Sequence, residues 1–178
     1  MKLVTSLALA LVLPSIALAH VQQAPPKLAP PASGFRAEFI ANLDEVQEKI
    51  MSLAEATPAD RFSWRPAPGV RSISEVYMHI AGGNYFLATF IGTPAPKTND
   101  LEKRITKKND VLAELRRSFD HLRIAANNVK DLEKPVKMFG NQTSQRGVLV
   151  TMLSHLHEHL GQSVAYARMN GVVPPWSR

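Results

Sequence analysis

The chain of 178 residues contains no cysteine. Disulfides, thiolate metal sites and cysteine nucleophiles are therefore excluded, and any zinc-like centre has to be built from imidazole and carboxylate. A long apolar run is missing too. The one hydrophobic stretch, near the N-terminus, is shorter than the roughly 20 residues a membrane-spanning helix needs, and Pro14 interrupts it. Aromatic residues are scarce at 7%, and none is interleaved with the densest basic run, KRITKKND at 103–110. A basic stretch without stacking rings reads as the solvated face of a helix, so nucleic acid is not an expected partner.

What the N-terminus resembles is a secretory leader. MKLVTSLALALVLPSIALA carries a lysine, an apolar stretch and the small-x-small triplet Ala17-Leu18-Ala19. Residues 1–19 are expected to be a signal peptide cleaved after Ala19, with no stable membrane insertion afterwards and a periplasmic or secreted destination. Loss of Lys2 lowers the formal charge from +6 to about +5. Residues 20–34 hold four prolines and little to bury, which makes them a Pro-rich linker to the domain at 35–178.

Within that domain four segments show the three- and four-residue apolar spacing of amphipathic helices. The first runs from residue 35 and stops before Pro58, with Phe35, Phe39, Leu43, Val46, Ile50 and Leu53 on one face. The second starts at Ser72, where SISE forms a capping box between Ser72 and Glu75, and continues to about residue 92. Gly82 and Gly83 in its middle weaken the helix by about 1 kcal/mol each relative to alanine, which predicts a neighbour packed closely against them. The third covers about 101–129, and the fourth runs from residue 143 or 144 to 170, where Gly171 is placed as a left-handed stop. No strand alternation is visible. The fold class expected is all-α, a four-helix bundle.

Three histidines fall in SHLHEHLGQS at 154–163. At about 100° per residue His155 and His159 lie about 40° apart beside the apolar stripe, while His157 points away from both by roughly 160°. His79 sits at the edge of the stripe on the second helix, roughly 120° from its centre. If the second and fourth helices are neighbours, these three imidazoles can share one ion and leave positions open, as in a catalytic rather than a structural metal site. The same spacing also arises where histidines merely border a core. His121, between Asp120 and Leu122 in the basic third helix, reads as a surface residue.

Two stretches carry a family resemblance. WRPAPGVRSISEVYMHIAGGNYF resembles the segment of the DinB/YfiT-like superfamily in which a Trp-x-Pro loop leads to a Ser-x-x-Glu helix start and a histidine. HLHEHLGQSVAYARMNGVVPPWS is similar to that superfamily's ending: a His-x3-His pair, Gly-Gln, then Tyr-x-Arg-x-x-Gly-x-x-Pro-Pro. Leu160 stands where a polar residue often precedes the Gly-Gln. The resemblance runs from Phe35 to the C-terminus. It implies a four-helix bundle of the DinB/YfiT-like type in which His79, His155 and His159 bind a divalent metal, with zinc, nickel and iron all suited to imidazole. It also implies a metal-dependent hydrolase or transferase acting on a small molecule, in a chain that can pair as a homodimer. The alternative is a non-catalytic bundle that binds metal or a small ligand. Relatives that use low-molecular-weight thiols work in the cytoplasm, so export argues against the same activity here. Glu75 is expected to cap its helix and Glu158 to face solvent.

Overall fold

A computed structural model describes residues 34–177. The expected leader, its cleavage point at Ala19 and nearly all of the linker lie outside the described residues. The described chain forms α1 (Phe35–Ala56), α2 (Ile73–Thr89), α3 (Leu101–Arg104), α4 (Lys108–Asn128), a hairpin of β1 (Pro135–Met138) and β2 (Asn141–Ser144), and α5 (Gln145–Met169), with short 3-10 turns at Ala59–Arg61 and Pro175–Ser177. None of these helices is long and apolar enough to cross a membrane.

The four long helices enclose one core. Both α1 and α2 pack against α4 and α5, so the order around the core is α1, α4, α2, α5 and the second and last helices are neighbours. The apolar faces read from the spacing meet at the centre: Phe39, Leu43 and Ile50 from α1, Tyr77 and Ile80 from α2, Leu115, Phe119 and Leu122 from α4, Leu149 and Leu156 from α5. The Ser72–Glu75 capping box is present, with the Ser72 amide donating to Glu75 over 2.6 Å and the Glu75 amide to Ser72 Oγ over 3.3 Å. Ser144 caps α5 by accepting from the Gly147 amide. Gly171 follows α5 with φ 72°, the left-handed stop expected of it.

Three expectations need correction. The chain does contain strands: Pro135 to Met138 pair antiparallel with Asn141 to Ser144, joined by the two-residue loop Phe139–Gly140. Strands of four residues are too short for alternation to rise above chance. The third helix is broken. Its first turn, α3, packs on α2, and Ile105 turns extended (φ −113°, ψ 97°) before α4 begins. No proline or glycine marks the break; tertiary contact overrides helix propensity there. His121 is half-buried rather than on the surface: its ring stands edge-on to Tyr85 at 5.1 Å and its Nε2 is out of solvent with no partner.

Candidate metal centre

α2 and α5 bring His79, His155 and His159 together where the two helices pack. The ring centroids form a near-equilateral triangle with sides of 5.2 Å (His79–His155), 4.7 Å (His79–His159) and 4.6 Å (His155–His159). One nitrogen from each ring lies within 4.8 Å of the others. The Nε2 atoms of His79 and His155 are 3.3 Å apart. Two imidazoles on a tetrahedral ion with bonds of about 2.0–2.1 Å are separated by about 3.3 Å, so this pair already stands at ligand spacing. The cluster is partly shielded, with His159 buried and the other two half-buried.

The outer nitrogens say which way the rings are presented. His79 Nδ1 is 3.0 Å from Glu102 Oε1, and His159 Nδ1 is 2.8 Å from Gln162 Oε1, which is itself fixed by its amide donating to Tyr166 over 3.1 Å. Both partners are acceptors, so each Nδ1 carries the proton and each Nε2 lone pair is left for an ion. His155 differs: its Nδ1 is buried with no hydrogen-bond partner. A buried imidazole nitrogen left unpaired is costly, and an ion shared among the three rings, reached through the His155 Nε2 that faces His79, would offset that cost.

Gly83 explains how the rings come so close. A Cβ there would stand 2.4 Å from His155 Cε1, well inside contact, so α5 seats the His155 ring directly on the α2 backbone. At Gly82 the same construction meets nothing within 4 Å, so the expected close neighbour exists for one glycine of the pair only. His157 is exposed, its Nδ1 donating to the Leu153 carbonyl over 2.8 Å, and takes no part. Glu158 is exposed as expected, and Glu75 is engaged by Ser72 and by Arg65 at 2.9 Å.

Two residues of the site were not singled out from the sequence. Gln162, one turn after His159, was visible in the Gly-Gln step as a motif but not as a partner. Glu102 had no local signal: it reaches His79 from α3 because the third helix breaks, and it also accepts from Arg71 over 2.9 Å. Burial works to raise its pKa, but the bonds from Arg71 and His79 outweigh this and hold the carboxylate below its usual range. A carboxylate that orients a ligand histidine typically contributes 10- to 100-fold in metal affinity. Glu102→Ala is therefore expected to weaken zinc binding by about that factor, and Glu102→Gln by less, in a competition titration against a chromophoric chelator.

Electrostatics keep the cluster ready for an ion. Burial lowers the pKa of His79 against the opposing bond from Glu102. Burial, helped by the neighbouring imidazoles His159 and His79, lowers that of His155 to about 4. Both are neutral at pH 7, the form that coordinates metal. Because the fold depresses these values, the unfolded chain takes up protons first as pH falls. For chelator-treated protein, the stability His155 contributes is fully present above about pH 6.5 and is lost as pH falls through about 4, and His79 acts in the same direction. Thermal midpoints measured across that range are expected to be flat above pH 7 and to decline below it, with a shallower decline in His155→Asn.

Beside the cluster opens a cleft of about 700 Å³, lined by Arg71, Met78, His79, Phe86, Leu101 and Glu102 among others. That is room for a small molecule next to His79.

The fold that carries this site is shared with known proteins. Residues 42–163 match the family model of the DinB superfamily. The fold is similar to that of a DinB-like protein from Bacillus cereus ATCC 10987, with a TM-score of 0.69 and 19% identity over 77% of this chain and 93% of that one. A DinB-like protein from Bacillus subtilis gives a TM-score of 0.62 and 20% identity over 76% and 93%. At such identities the likeness speaks for the fold alone. No curated protein matches the sequence. The matched family segment contains all three clustered histidines, and the chain belongs to the DinB superfamily.

Proposed function

We propose that this protein is an exported metal-dependent enzyme, a hydrolase or transferase, that acts on a small molecule at a divalent ion held by His79, His155 and His159. One observation carries the reading: three imidazoles from two helices converge beside an open cleft, two of them with Nδ1 pinned by an acceptor so that Nε2 is free. Zinc, nickel or iron would suit such donors. A divalent ion in that position supplies Lewis acidity to a water or a carbonyl oxygen. The chain's own groups do the rest. Glu102 keeps the proton on His79 Nδ1 and fixes the ring, Gln162 does the same for His159, and Arg71 sets Glu102 while adding positive charge to the cleft wall. Cleavage of the expected leader after Ala19 would carry this chemistry outside the cytoplasm, away from low-molecular-weight thiol pools.

A second reading, a non-catalytic metal or ligand binder, is favoured by one feature. The two glutamates lining the cleft, Glu75 and Glu102, are both engaged by arginines and hydrogen bonds, and Asp100, the third carboxylate of the lining, is exposed and makes no bond to the histidine cluster. Untagged, metal-loaded protein assayed against ester, amide and thiol-transfer substrates, with and without chelator, separates the two. Chelator-sensitive turnover of one class supports the enzyme; a loaded protein inert to all three supports the binder. N-terminal sequencing of the mature chain tests export, which requires a start at His20.

A further inference from the structure

Three- and four-residue steps lead from His79 to either Gly82 or Gly83, from either glycine to Phe86, and on to the C-cap residue Phe90, so these residues border one side of α2. The two glycines place no side chain between His79 and Phe86, and the space above Gly82 is open. Because the His155 ring sits over Gly83, the bare strip of the cleft wall is the backbone at Gly82, on the roughly 10.5 Å of helix that runs from His79 to Phe86 at 1.5 Å per residue. At its far end stand three aromatic rings. Phe86, which lines the cleft, is 5.3 Å from Phe90 and 6.1 Å from Phe139 between centroids, and Phe90 and Phe139 are 5.6 Å apart.

This patch is not core. Phe86 is 51% exposed and Phe139 62%. Phe139 also occupies a strained position: it and Gly140 form the two-residue loop of the hairpin with φ 51° and 84°, the type I′ signature whose first position favours asparagine. Neither turn preference nor burial accounts for a phenylalanine there. Its ring packs on Phe86 and Phe90 while most of its surface stays exposed, and strain retained at an exposed ring next to a cleft is a pattern that a ligand contact would explain.

We propose that the cleft takes an amphiphilic small molecule, with a polar head at the histidine cluster and an alkyl or aryl tail lying over Gly82 against Phe86, Phe90 and Phe139. This deepens the proposed function and rests on its metal site. Continuity between cleft and patch through Phe86 favours a tailed ligand over a macromolecular partner.

The test uses two metal-chelating probes, acetohydroxamate and octanohydroxamate, titrated calorimetrically into the zinc-loaded protein. The longer probe is expected to bind more tightly by roughly two- to fourfold per added methylene. In Gly82→Leu, whose side chain would enter open space and fill the strip, the ratio of the two affinities should fall toward one. Phe139→Asn should also lower the ratio while raising the thermal midpoint, because asparagine suits the turn. Ile124→Ser, at an exposed α4 residue outside the cleft, should keep the wild-type ratio. Equal affinities in the wild type would overturn the tail site and leave the metal reading standing. Failure to take up stoichiometric zinc would overturn both. A dimer that Phe139→Asn dissociates, together with equal affinities, would assign the patch to a second copy of the chain and overturn the proposal.

Discussion

His79→Ala protein, purified without a histidine tag, is expected to carry no stoichiometric metal, whereas the wild type carries one ion per chain. The expected loss of affinity exceeds about 100-fold, because removing a ligand costs more than removing the partner that orients one. His79 is the single contribution from α2, so its loss leaves only the His155 and His159 pair on α5. The fold should survive, since the ring is half-buried at the edge of the core and its neighbours Met78 and Ile80 carry the packing. Stability reports the same event. An ion at about 100 times its dissociation constant stabilises the folded state by about 2.7 kcal/mol. For a domain of this size that corresponds to a rise of about 5–10 °C in thermal midpoint. The wild type should show this rise on adding metal, and His79→Ala should not. Elemental analysis and thermal melts check the two halves separately.

The second large effect comes from a methyl group. Gly83→Ala should abolish metal binding almost as fully as loss of a ligand, because the new Cβ would lie 2.4 Å from His155 Cε1 and 3.0 Å from its Nδ1. The ring has to swing away from His79 or the helices have to part. Helix propensity predicts the opposite sign: alanine is better than glycine in a helix by about 1 kcal/mol, and at Gly82, where no atom lies within 4 Å, that gain should appear in full. The paired substitutions thus separate propensity from packing. Gly82→Ala is expected to raise the thermal midpoint by about 2–4 °C and to keep its metal. Gly83→Ala should lose its metal and show a smaller gain or a net loss. Equal metal content in both variants would mean that the His155 ring is not held where the structure places it.

The adjacent glycines also show how far the sequence could be read. Two glycines inside a helix predict a close neighbour, but only three-dimensional packing reveals that Gly83 has one and Gly82 does not. Features encoded over three or four residues were legible: the amphipathic faces, the Ser72–Glu75 box, the Gly171 stop and the convergence of His155 with His159 away from His157. On α5 the apolar residues located the core only approximately. The buried face includes His159, Ser163 and Tyr166, while Leu153, Leu160 and Val164 are half-buried. A histidine cluster at the core's edge places polar residues where periodicity expects leucine, and Gln162 together with the Ser163–His159 backbone bond satisfies them.

Features that depend on distant contacts were not legible. The break between α3 and α4 has no breaker residue, and its consequence, Glu102 between Arg71 and His79, joins residues 23 and 31 positions apart. The hairpin was hidden by four-residue strands and by a Phe-Gly turn in place of the usual Asn-Gly. His121 looked like a surface residue because it follows Asp120 in a basic helix, whereas its ring is covered by Tyr85 from another helix.

The account rests on one ion shared by two helices. Anomalous diffraction from a crystal of the metal-loaded protein, recorded on both sides of the absorption edge of the bound element, tests this most directly. The expected result is a single strong peak about 2.0–2.1 Å from one ring nitrogen each of His79, His155 and His159, with a position facing the cleft free of protein ligands. A peak held by the α5 pair alone, or none within reach of all three rings, would contradict it.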